Sequence, residues 1–125
     1  MSAISTHVLD IAAGCPAAGM RVRLERVASA GHEEVAEAEQ IAAASTDAGG
    51  RIASLGPDAI GPGTYRLIFD TGGYLARQRE KGGSGTESPA FFPEVTVTFA
   101  VADGREHYHV PLVMSPFGYS TYRGS

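Results

Sequence analysis

Three stretches of the chain alternate apolar and polar side chains with period two, the pattern of a strand buried on one side. Val95, Val97, Phe99 and Val101 fall on one face, with Glu94, Thr96, Thr98 and Ala100 on the other. Tyr65, Leu67 and Phe69 alternate with Thr64, Arg66, Ile68 and Asp70, and Met20, Val22 and Leu24 with Arg21, Arg23 and Glu25. Turn residues separate these runs at Gly14-Cys15-Pro16, Asp47-Ala48-Gly49-Gly50, Gly56-Pro57-Asp58, Gly61-Pro62-Gly63 and Asp103-Gly104. Short strands at near-regular spacing predict an all-β fold, an antiparallel sandwich or barrel.

Two segments resist that pattern. Glu33 to Ala44 is locally helical, with Val35, Ala38 and Ile41 or Ala42 on one side among good helix formers. Gly73 to Gly82 has room for one or two helical turns over Tyr74, Leu75, Ala76 and Arg77, closed by Gly82-Gly83. The run from Gly82 to Ser88 then reads as a flexible loop.

The same periodicity sorts the chemistry-bearing residues. In His107-Tyr108-His109-Val110-Pro111-Leu112-Val113-Met114, the core face is Tyr108, Val110, Leu112 and Met114. His107 and His109 therefore share the opposite face. Near the start, Ile4, Thr6 and Val8 make the better core face, which turns His7 and Leu9 outward. Outward Leu9 and Val113 are wasteful in a monomer and predict a face covered by another subunit.

The 125 residues fit one domain, 1–125, with no repeat and no dividing linker. A net charge of -4 argues against nucleic-acid and membrane-surface partners, which favour basic patches. No apolar run approaches the roughly 18 residues that span a bilayer, and the opening residues lack the regions of a signal peptide. A single cysteine, Cys15, excludes an internal disulfide and fits a reducing compartment, so the expected location is cytoplasmic.

Two histidines at i and i+2 admit three readings. They are zinc ligands if His7, His32, Cys15 or a carboxylate completes the set. They are general acid–base groups, since imidazole titrates near neutral pH. Or they are polar surface residues. Arg51, after the Asp47–Gly50 turn, is on its own an ordinary solvated arginine. Cys15 sits in a Gly-Pro turn with no nearby basic residue or helix start to activate it and reads as structural. Ser125 lacks a G-x-S-x-G context, so a nucleophile-elbow hydrolase does not fit. The sequence ends in Tyr122-Arg123-Gly124-Ser125, directly after the turn-rich run from Ser115 to Thr121. Its rigid donor fork, flat ring and glycine suit part of a binding site as well as they suit a strand end.

Taken in order, these pieces resemble the transthyretin-like family, in its 5-hydroxyisourate hydrolase branch. Ser5-Thr6-His7-Val8-Leu9-Asp10 with Gly14-Cys15-Pro16-Ala17 is similar to the family's opening motif. Tyr65-Arg66-Leu67, Phe69-Asp70-Thr71-Gly72 and Phe91-Phe92-Pro93-Glu94-Val95 are similar to its middle. His107 to Leu112 and Ser115 to Ser125 are similar to its end, where the terminal tetrapeptide separates the hydrolases from the hormone carriers of the same fold. Glu33–Gln40 and Gly82–Ser88 are longer than the family pattern and lie outside these motifs.

The resemblance implies a two-sheet antiparallel β-sandwich with one short helix, and makes Glu37–Thr46 at least partly strand despite its helical propensity. It implies a homotetramer, a dimer of dimers, with sites in clefts at the dimer–dimer interface. It assigns His7, Arg51, His109 and Ser125 to catalysis, and His7, Arg51, Tyr122 and Arg123 to contact with the substrate. The implied reaction is hydrolytic opening of the six-membered ring of 5-hydroxyisourate. His7 or His109 serves as base, and Arg51 stabilises the developing charge. No metal, cofactor or covalent intermediate is implied. His107 shares the face of His109 but has the weaker place in the motif.

Overall fold

A computed structural model describes residues 2–27, 38–82 and 90–125 and builds them into two sheets and one helix. The strands are β1 (Ile4–Asp10), β2 (Cys15–Pro16), β3 (Arg21–Val27), β4 (Ala38–Ser45), β5 (Arg51–Ile52), β6 (Gly63–Phe69), β7 (Val95–Val101), β8 (Tyr108–His109), β9 (Leu112–Ser115) and β10 (Gly118–Thr121). Helix α1 covers Thr71–Glu80. One sheet runs β4-β3-β6-β7; the other runs β10-β9-β1-β2, with β5 and β8 also on β1.

The alternating runs form β3, β6 and β7, and their apolar faces meet the other sheet in one core. Val22, Leu24, Leu67 and Phe69 are wholly buried there against Ile4, Val8 and Leu112. Burial of that kind supplies about 25 cal/mol per Å² of apolar surface and is the main force closing the sandwich.

The expected sandwich with its one short helix is what forms, but one strand departs from the antiparallel pattern. β1 runs parallel to β8 and β9, with Ile4 opposite Tyr108, Ser5 opposite His109 and Val8 opposite Leu112. These segments are about a hundred residues apart in sequence, so no hairpin fixes their relative direction.

Ala38–Ser45 is strand, paired from Ala38 opposite Val27 to Ser45 opposite Arg21. The main-chain ladder of β3 overrides the helix propensity of its alanines. The remainder of the helical segment, up to Glu37, and the 83–88 loop lie outside the described residues.

α1 begins earlier and runs longer than the one or two turns expected. Asp70 caps it by accepting from the Gly73 amide at 3.0 Å, and Gly72 donates to the Pro93 carbonyl at 2.8 Å. A side chain at position 72 would lie 3.0 Å from that carbonyl, which is why two weak helix formers occupy the first turn. The Tyr74 hydroxyl donates to buried Asp10 at 2.8 Å and ties the helix to the end of β1. Burial, then this bond, holds the phenol well above its ordinary pKa, so it remains a donor.

Candidate active site

The site grows from the centre of β1, where alternation turns Ser5, His7 and Leu9 to the outer face while Ile4, Thr6 and Val8 go to the core. Partner strands then add residues in register. On one flank β5 sets Arg51 opposite His7; on the other β8 sets His109 opposite Ser5. Residues facing each other across a strand pair lie close enough for their side chains to interact. The result is a single outer row drawn from three places in the sequence.

Arg51 is delivered by a tight turn. The Asp47 carboxylate accepts from the amides of Gly49 and Arg51, both at 2.9 Å, and the Gly50 carbonyl accepts from Val8 at 2.8 Å. Gly50 has φ +77°, and a Cβ there would lie 2.5 Å from the Val8 carbonyl oxygen, so only glycine lets the turn press onto β1. His7 Nε2 donates to the Gly49 carbonyl at 3.0 Å; a neutral His7 therefore keeps its lone pair on Nδ1.

On the other flank, the Ser5 hydroxyl bridges two imidazoles, at 2.8 Å from His107 Nε2 and 2.7 Å from His109 Nδ1. His109 is half-buried, and its pKa lies below the ordinary histidine value. Burial is the main cause, followed by the nearby His107, His7 and Arg51. The segment after β10 returns to this histidine: the Gly124 amide donates to the His109 carbonyl at 2.8 Å. A Cβ on Gly124 would stand 2.5 Å from His109 Cδ2, so the glycine allows the chain to lie against the ring.

Ser5, His7, Arg51, His107, His109 and Ser125 line one open cleft of about 340 Å³, within the size range of small-molecule sites. Two cationic or titratable flanks face each other across it, with hydroxyls at Ser5 and Ser125. Such a cleft suits a small, carbonyl-rich, anionic ligand and proton transfer to or from it.

The structure thus brings His7, Arg51, His109 and Ser125 together and adds His107. It sets Tyr122 and Arg123 elsewhere. Both line a neighbouring cleft with Val97 and Phe99 of β7. The Arg123 guanidinium lies 4.5 Å from the centre of the Tyr108 ring and 3.1 Å from Glu106 Oε1. Ser5 is the site residue that sequence reasoning missed, although its i−2 relation to His7 places it on the same face. Among the described residues, no group of three or more His, Cys, Asp or Glu side chains converges to hold a metal ion; His32 lies outside them.

Comparison with known proteins decides the lineage. The profile of the HIUase/Transthyretin family matches residues 4–124. The chain belongs to that family. A 5-hydroxyisourate hydrolase of Deinococcus radiodurans is 43% identical over 122 residues, covering 98% of this chain and 95% of the relative. The structure of Klebsiella pneumoniae 5-hydroxyisourate hydrolase superposes with a TM-score of 0.77 at 37% identity, covering 100% of both chains. Transthyretin from Sparus aurata superposes with a TM-score of 0.80 at 28% identity, covering 99% of this chain and 97% of that one. Backbone likeness to the two branches of the family is about equal, so side chains must tell them apart. No helix among the described residues is long and apolar enough to cross a membrane.

Proposed function

We propose that this chain, as one domain over residues 1–125, hydrolyses 5-hydroxyisourate to 2-oxo-4-hydroxy-4-carboxy-5-ureidoimidazoline in urate degradation in the cytoplasm. The observation that carries the reading is the outer row of β1, where Arg51 stands opposite His7 and His109 opposite Ser5 above one cleft. Near-full-length relatives at about 40% identity bear the hydrolase name.

Water attacks a ring carbonyl, with a neutral imidazole of His109 or His7 taking its proton. Burial favours the neutral form of His109. Arg51, with its exposed guanidinium at the rim, orients the heterocycle and stabilises charge as it develops on oxygen. The carbonyl carbon gains the hydroxyl, the ring carbon–nitrogen bond breaks, and the imidazolium returns its proton to the leaving nitrogen. Ser125 completes the polar wall. No metal or cofactor takes part.

The working unit is a homotetramer. Leu9 is 37% exposed on the histidine face beside half-buried Val113, and β7 and β10 are edge strands with unpaired main-chain groups. Within one chain Tyr122 and Arg123 line the neighbouring cleft, so substrate contact from them requires the assembled interface.

Freshly generated 5-hydroxyisourate tests the reading. Its near-ultraviolet decay should run far faster with the protein than without it, and equally fast after chelation. Decay at the spontaneous rate, with retention of an added small ligand, would favour a carrier in its place. A fully active monomer in ultracentrifugation would remove the assembly part.

A further inference from the structure

The cleft contains a chain of hydrogen bonds whose direction can be derived. It begins at the main-chain carbonyl of Ser2, which accepts from His107 Nδ1 at 2.9 Å. A carbonyl cannot donate, so His107 carries a proton on Nδ1 and, when neutral, a lone pair on Nε2. The Ser5 hydroxyl, 2.8 Å away, must then donate to that lone pair. With its proton committed, the Ser5 oxygen can only accept from His109, and the 2.7 Å contact there is made by Nδ1.

Resting on the hydrolase reading above, the geometry points to Ser5 as a positioning residue. It fixes His109 in the tautomer with its proton on Nδ1, leaving the Nε2 lone pair to take the proton of the attacking water.

The origin of the chain is firm. Ser2 is buried; its amide donates to Ser54 Oγ at 3.0 Å and its hydroxyl to the Ile4 carbonyl at 2.8 Å. No hydrogen bond engages His109 Nε2 among the described residues, while Gly124 packs at Cδ2 beside it. His107, His7 and Arg51 all oppose a positive charge on the His109 ring. Ser5 therefore acts through the base and not on the substrate, and His107 matters because it dictates which way the hydroxyl points. Reversing the chain at neutral His107 would set two protons, or two lone pairs, against each other.

The test reads tautomers directly. Two-bond proton–nitrogen correlation on the ¹⁵N-labelled protein, at a pH where the histidines are neutral, should show His109 and His107 both protonated at Nδ1. Ser5→Ala should shift His109 toward the Nε2-protonated form and lower kcat about tenfold to hundredfold at nearly constant KM. Ser5→Thr retains the hydroxyl and should restore both the spectrum and most of kcat. An Nε2-protonated His109 in the parent protein overturns the assignment, even if Ser5→Ala does not fold. So does a His109 spectrum unchanged in Ser5→Ala. If the parent has the expected tautomer but leaves 5-hydroxyisourate at its spontaneous rate, the hydrolase reading fails and the tautomer assignment stands.

Discussion

The two sheets of this sandwich are built on different terms. In the four-stranded sheet, β3, β6 and β7 are seven residues each, and β3–β6 and β6–β7 pair in unbroken antiparallel register. Its sister sheet is assembled from fragments: β2, β5 and β8 have two residues each, and β1 exchanges partners along its length. On one flank the exchange runs from β5 at Thr6–His7 to β2 at Leu9–Asp10. On the other it runs from β8 at Ile4–Ser5 to β9 at Val8–Asp10. Between β8 and β9 lie Val110 and Pro111, and proline has no amide to continue a ladder. The interruptions leave room above β1 for several chains to bring side chains to one place. The continuous sheet pairs β3, β6 and β7 without a break, and the broken one gathers the polar side chains of the cleft.

The largest expected effect tests whether chemistry is confined to the broken sheet. Removing residues 122–125 takes Ser125 from the cleft and Gly124 from His109 while leaving the core intact. Catalysis should be abolished, with circular dichroism unchanged; an unaltered kcat/KM would reduce the tail to a strand end. Next, His7→Asn and His109→Asn should each lose on the order of a hundredfold or more in kcat, since each removes a titrating group. Their melting temperatures should hardly move, and His107→Asn should cost less. Equal damage from His107→Asn and His109→Asn would dissolve the distinction between base and support.

The continuous sheet should behave in the opposite way. Leu24 is fully buried in β3, and Leu24→Ala should cost about 2–5 kcal/mol of stability. Denaturant unfolding checks that, and kcat of the folded fraction should be unchanged. The smallest effect is in pH dependence. Because the folded pKa of His109 lies below its ordinary value, the native state binds fewer protons there than the unfolded chain. That contribution to stability is complete above the unfolded value, about 6.5, and is lost as pH falls through the folded one. The acid limb of kcat/KM should therefore lie below about 6.5 and vanish in His109→Asn.

The sequence and the structure agree best where one residue's neighbours decide its place. Alternation alone turns Tyr108, Val110, Leu112 and Met114 inward, and His7, Leu9 and His109 outward. The strand state of Ala38–Ser45 is not legible locally, because its alanines and glutamate favour helix until β3 supplies a ladder. Nor is the parallel course of β1 and β8, which has no short-range signal. At the site, family resemblance gathers His7, Arg51, His109 and Ser125, and the cleft holds all four. Ser5 carries no visible chemistry until the two imidazoles beside it are known. Arg123 lies apart because Glu106 and the Tyr108 ring together offer its guanidinium a charge partner and a π face.

The parallel pairing of β1 also sets an order of events during synthesis. Every strand of the continuous sheet lies between residues 21 and 101 and is synthesised before β8. The His7–Arg51 half of the row has both its partners within the first 52 residues. The Ser5–His109 half must wait for a contact spanning 104 residues, the kind of closure that is slow to find. The arginine and the first histidine are thus made well before the second histidine that completes the row.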